Sequence, residues 1–230
     1  MSFIHFIKEL NGKRVEGELI KTVFYTILSS AFTYSILAFL YVLSYPHFDS
    51  VFAKYKIPFF FVTLSYALLT PAIYQIRAYH ELPCMSGMMI GMTTGMLAGF
   101  LPGFYVASTN GMFVGGFFGV ALGMLIGLLN GKCCGIMGIM EGLMAGFMGG
   151  LMGAMTAFML LNDHLLLASV LVFLISAIIS IGLTYLIYKE TKETERKRPE
   201  GHFFTVLLTV LLTIITAILI VLGPRSVIFS

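Results

Sequence analysis

Long apolar runs separated by short polar stretches dominate the chain. Seven such runs stand out, at roughly 20–44, 58–79, 84–106, 111–130, 134–161, 164–187 and 203–222. Each approaches or exceeds the ~20 apolar residues that a helix needs to cross the hydrocarbon core of a bilayer. None shows the ten-residue alternation of an outer-membrane barrel strand. The pattern predicts an all-α fold, a polytopic transmembrane bundle of about seven spans. Residues 1–19 are charged and weakly amphipathic, and lack the apolar core and cleavage site of a removable signal peptide. A second charged stretch, 188–201, reads as a solvated loop, and Pro71 is expected to kink the second span.

Within the runs, small residues recur at a spacing of four. The third span carries Gly87, Gly91, Gly95, Gly99 and Gly103. The fourth carries Gly111, Gly115, Gly119, Gly123, Gly127 and Gly131, and the fifth Gly138, Gly142, Gly146 and Gly150. This spacing lays a groove along one helix face, where a neighbouring backbone can approach closely. The ladders predict a glycine-ladder three-helix core with span four between its parallel neighbours; a ladder facing another subunit is the alternative. A faint repeat, GMLAGFLPG at 95–103 and GLMAGFMGG at 142–150, relates spans three and five. The chain accordingly divides into a cytoplasmic segment 1–19, two helices in 20–79, the core at 84–161 and two helices with their loop at 164–230.

Composition sharpens this picture. The chain is 58% hydrophobic and 11% charged, against ~25% charged in a typical soluble domain. Charge then orients the spans. With the N-terminus inside, cytoplasmic segments hold eleven lysines and arginines and outer segments three, Lys54, Lys56 and Arg225. That bias predicts a multi-pass protein of the cytoplasmic membrane, N-terminus inside and C-terminus outside. The basic residues are spent on topology, so no nucleic-acid patch is expected; the partner is the lipid bilayer, with a homo-oligomer or membrane partner possible through the ladders.

Fourteen of the fifteen methionines fall between Met85 and Met159. On a helical wheel of span five, glycines occupy one side, and Met137, Met140, Met144, Met148, Met152, Met155 and Met159 the other. Glu141, the only acidic residue within any predicted span, shares the methionine side. An intramembrane carboxylate marks a functional site by default, although a residue near the inner end can also snorkel toward Lys132. Methionine is a good gap-filler, yet thioethers are also soft ligands that select Cu(I). The rows Met88, Met92, Met96 and Met140, Met144, Met148, Met152 stack sulfurs about one turn apart. Met85 stands at the start of the first row. In the predicted topology Cys84, Cys133 and Cys134 share the cytoplasmic interface with His80 and Glu81. Helix N-termini favour thiolates, the metal-binding form, whereas small buried apolar cysteines at a packed turn are the bland reading. Asn110 and Asp163 read as helix caps.

Together, MxxxM and GxxxG resemble the transmembrane signature of Ctr-type copper transporters; here Met88/Met92 and Gly87/Gly91 interleave on one helix. Residues 84–160 also resemble Met/Gly-rich membrane segments of Bacillus-type bacteria, some joined to cupredoxin-like domains. The stretches CMSGMMIGMTTGM and GLMAGFMGGLMGAM carry that likeness. Both resemblances imply copper handling. The chain lacks a Ser/His/Asp constellation, a phosphate loop and HExxH, so no enzyme is expected. The reading is a membrane protein that binds or transports a soft monovalent metal, Cu(I), on Met85, Met88, Met92, Met96, Met140, Met144, Met148, Met152, Glu141, His80 and the three cysteines. The alternative is a glycine-zipper scaffold with methionine as filler.

Overall fold

The computed structural model describes residues 24, 26–29, 31–32, 35, 60–67, 69–70, 73, 84–132, 135–161, 164–190 and 202–223. Every regular element among them is helical. Five helices have defined bounds: α1 Cys84–Asn110, α2 Met112–Gly131, α3 Gly135–Met159, α4 Leu165–Glu190 and α5 His202–Leu222. Residues 60–67 are helical as well. Pro71, His80, Glu81, Cys133, Cys134, Asp163 and the segments 1–19 and 191–201 lie outside the described residues, and the first span is described only at residues 24, 26–29, 31–32 and 35, which are helical. Four helices, α1, α2, α3 and Leu165–Ile187 of α4, are long and apolar enough to cross a membrane. α5 contributes a shorter apolar stretch, Val206–Ile220. This is the build of a membrane protein, with apolar outer faces suited to lipid.

α1 runs past the end expected at 106 to Asn110, although the added residues Ala107, Ser108, Thr109 and Asn110 are largely polar. Their polarity is absorbed locally. The Ser108 hydroxyl donates to the Tyr105 carbonyl at 2.7 Å and Thr109 to Val106 at 3.0 Å. Asn110 does not cap α2 as expected. It closes α1, and its side-chain amide donates to the Leu219 carbonyl of α5 at 2.6 Å. Gly111 takes the position before α2 with φ 110° and no side-chain cap. That left-handed region is open to glycine and costly for residues with a Cβ, so α1 reverses into α2 across one residue.

α1, α2 and α3 touch one another along their lengths. The contacts are glycine on backbone. A Cβ on Gly95 would lie 2.9 Å from the Gly142 carbonyl oxygen and 3.1 Å from the Gly127 Cα. One on Gly99 would meet Gly146, Gly150 and Gly119, and one on Gly103 would meet Gly150. Gly123 faces both Gly99 and Gly146, Gly127 faces Gly142, and Gly131 faces Gly138. α1 and α3 therefore run parallel, with α2 antiparallel to both. Pairs such as Gly95–Gly142 and Gly99–Gly146 are 47 residues apart, the spacing of the internal repeat. The expectation placed span four between its neighbours, but α1 and α3 also touch directly. The α3 ladder itself reaches α1 at Gly142, Gly146 and Gly150, and a second row widens the contact: Gly149 sits on the Met96 backbone and Gly153 on Phe100.

The other side of α1 carries conventional packing. Leu101, Phe104 and Tyr105 join Val62 and Tyr66 of the 60–67 helix and Leu212, Ala217 and Ile220 of α5 in one buried cluster. Phe61 stacks on Tyr105 with ring centroids 6.5 Å apart. α1 is thus the hub, with glycine seams toward α2 and α3 and large side chains toward α5 and residues 60–67.

Candidate functional site

The glycine seam decides where the methionines point. On α3, Gly150 abuts Val120 of α2 and Gly149 abuts Met96 of α1. Continuing around the helix away from α2, Met152 and Met148 are turned ~60° and ~100° from Gly149. Glu141 lies at ~80° on that side, and Met144 and Met140 follow further round. Met140, Met144, Met148 and Met152 are 51–64% exposed, and Glu141 is exposed as well. On α1, the exposed Met85, Met89 and Met92 fall within ~40° of Met96 on the wheel, and the Met96 backbone is where Gly149 sits. The exposed methionines of α1 thus flank its contact with α3, whereas those of α3 run from beside that contact, at Met152 and Met148, round to the face turned away from α1, at Met144 and Met140. Met88 is half-buried.

Successive sulfurs in a four-residue row are separated by ~6 Å of helix rise. Rows of that spacing offer successive thioether donors along each helix, a donor class suited to a soft monovalent ion. Glu141 adds one oxygen beside them. The seam itself holds no such donors, because backbone meets backbone there: the virtual Cβ atoms of Gly95 and Gly99 lie 2.7–3.5 Å from backbone atoms of α2 and α3. Any soft-metal route along this unit must follow its surface.

Cys84 opens α1 and is exposed. It stands at the same end as Met85, which is 82% exposed. Cys133, Cys134 and His80 lie outside the described residues, so their expected convergence with Cys84 is not visible. Among the described residues no three His, Cys, Asp or Glu side chains form a metal-holding group. What this surface offers is thioether sulfur.

A second cluster escaped the sequence reading. Where residues 60–70, α1 and α5 meet, Ser65, Tyr66, Tyr105, Asn110, Thr213 and Thr216 are all buried. The Tyr105 hydroxyl is directed at Ser65 and that of Tyr66 at Thr216, yet neither pair reaches hydrogen-bond geometry. Ser65 Oγ, Tyr66 Oη, Tyr105 Oη and Asn110 Oδ1 have no hydrogen-bond partner among the described residues. Thr216 donates to the Leu212 carbonyl at 2.8 Å, and Thr213 donates to Val210. The available signal was the spacing of Thr209, Thr213 and Thr216, which puts three hydroxyls on one face of α5.

Comparison with protein-family models, with curated proteins and with solved structures finds no match to this chain.

Proposed function

We propose that the chain is a multi-pass protein of the cytoplasmic membrane that binds Cu(I) as its cargo and relays it along the methionine surface of α1 and α3. In this reading the bundle has about seven spans around a glycine-seamed three-helix core, with the N-terminus inside. The observation that carries it is the segregation of side chains: the ladder glycines of α1, α2 and α3 face one another, while methionines of α1 and α3 are exposed on the outside of the unit, with Glu141 exposed among those of α3. Leucine would serve lipid contact equally well and would offer no donor. Weak sites about one turn apart suit an ion that must both bind and leave. Cys84, with Cys133 and Cys134, would receive or deliver the ion at the cytoplasmic end, where thiolate ligands bind Cu(I).

A scaffold role is the second reading, and one observation bears on its form. The ladder glycines of α1, α2 and α3 face one another within the chain, so a partner docking on this unit would meet the methionine surface instead. Metal loading separates the two readings. Purified protein is incubated with Cu(I) or Ag(I) and washed, and its metal is quantified for the native chain, for a variant lacking the three cysteines, and for Met140, Met144, Met148 and Met152 all changed to Leu. The relay reading expects bound metal in the native chain and a reduced content in the methionine variant. Near-zero loading in all three proteins contradicts it.

A further inference from the structure

Every methionine from Met85 to Met159 is exposed or half-buried, so the interior of the three-helix unit packs without thioether sulfur. The three most exposed are Met85 at 82%, Met137 at 71% and Met159 at 67%. Each stands at a helix end: Met85 is the second residue of α1, Met137 the third of α3 and Met159 its last. The two helices are 27 and 25 residues long, which gives ~40 and ~37 Å of length against ~30 Å of hydrocarbon in a bilayer. Their terminal turns therefore reach headgroups and water, whereas Met144, Met148 and Met152 lie at hydrocarbon depth. We propose that Met85, Met137 and Met159 are sites of reversible oxidation to methionine sulfoxide by hypochlorous acid.

The reaction needs an accessible sulfur lone pair and no other protein group. A sulfur–oxygen bond forms as the oxygen–chlorine bond of hypochlorous acid breaks. Sulfur loses two electrons, chlorine leaves as chloride, and the proton of the acid passes to water. The product is polar, and sulfoxide reductases return it to the thioether. Depth decides where it is tolerated. At a helix end water solvates the new oxygen, whereas at mid-span an acceptor without a donor would face lipid, which is penalised. The ladder contacts are made by glycine and backbone, so oxidation of these three side chains leaves the seam intact. Because α1 and α3 run parallel, Met85 and Met137 stand at one end of the unit and Met159 at the other. Exchanging soft sulfur for hard oxygen closes those ends to a soft ion; that consequence rests on the relay reading, whereas the order of oxidation does not.

Graded oxidation of the native full chain in saturated phosphatidylcholine vesicles tests the sites. Hypochlorous acid is added in steps, and sulfoxide at each methionine is quantified by peptide mass spectrometry. Met85, Met137 and Met159 should reach half-oxidation at a dose about fivefold or more below that for Met144, Met148 and Met152, with the helical circular dichroism unchanged. Met144 is the critical comparison, since at 64% exposure it nearly equals Met159 and differs in depth. Oxidation of Met144 at the same dose as Met159 overturns the proposal, as does earlier oxidation of the mid-span methionines. Loss of helical signal when only the three are oxidised overturns it too, because the change is then damage. In denaturant all six should oxidise alike; an order that persists there comes from local sequence rather than from placement, and also overturns the proposal. Treatment with a methionine sulfoxide reductase should restore the three thioethers, and failure to do so refutes reversibility. Copper takes no part in these readouts, so failure here is distinguishable from failure of the metal relay.

Discussion

Changing Gly99 to alanine is the sharpest perturbation of the seam. The added methyl would lie 2.7 Å from the Gly146 carbonyl oxygen, 2.8 Å from the Gly150 nitrogen and 3.2 Å from the Gly119 oxygen. Ordinary carbon–oxygen contacts begin at ~3.3 Å, so the worst overlap is ~0.6 Å. All three neighbours are backbone and belong to two different helices, so no rotamer can relieve the clash and both helices must move. Overpacking of this kind costs ~1–3 kcal/mol, and the rigidity of the neighbours points to the upper end. Alanine gains back ~0.8–1 kcal/mol of helix propensity over glycine. The net expectation is a loss of ~2 kcal/mol, about thirtyfold in the folding equilibrium. Gly182→Ala on α4 is the internal comparison, since nothing lies within 4 Å of its virtual Cβ; only the propensity gain of ~0.5–1 kcal/mol remains. Reversible unfolding in mixed micelles, followed by helical circular dichroism, reads both. A Gly99→Ala protein as stable as Gly182→Ala would refute the close backbone packing of α1 on α2 and α3.

Three further outcomes follow from the same geometry. Neighbouring glycines on α2 should behave differently. Gly116→Ala meets only side-chain carbons, at 3.6 and 3.7 Å, and should be near neutral, whereas Gly115→Ala runs into the Ala107 backbone and should destabilise by ~1–3 kcal/mol in the same unfolding assay. The Asn130 amide donates to the Thr94 hydroxyl at 3.2 Å between α2 and α1; a double-mutant cycle with Asn130→Ala and Thr94→Ala should give ~0.6 kcal/mol of coupling, as intramembrane hydrogen bonds typically do. Zero coupling would show that the pair does not act together. Cys84 is exposed, so a maleimide should modify it quickly in the purified protein, while an impermeant reagent added to intact cells should leave it unmodified; efficient labelling from outside reverses the proposed orientation.

The helical elements were legible because apolar runs of this length leave few alternatives. The cores of α1 through α5 sit where the hydropathy runs lie. The partly polar end of α1 did not read as helix, because hydropathy scores Ser108 and Thr109 as polar while their hydroxyls satisfy carbonyls one turn back. The direct contact of α1 with α3 was also hidden. One ladder serves both neighbours, since Gly142, Gly146 and Gly150 touch α1 as well as α2, and Gly149 and Gly153 widen the contact from outside the four-residue spacing. The methionine side of α3 could be drawn from the wheel alone. Where the α1 row lies relative to it could not, since the rotation of α1 against α3 is fixed by where Gly149 meets Met96. The oxygen cluster was least legible: Ser65, Tyr66, Tyr105 and Thr216 are common residues in apolar helices, and only packing brings them together from three elements.

The coordination shell of bound copper tests the central claim most directly. Protein loaded with Cu(I) under reducing conditions, and washed free of loose metal, is measured by X-ray absorption at the copper edge. The methionine relay predicts copper held by sulfur alone or by sulfur with a single oxygen, and loss of that signal when Met140, Met144, Met148 and Met152 are changed to Leu. Copper held by nitrogen and oxygen, or a sulfur shell untouched by those four substitutions, would contradict it.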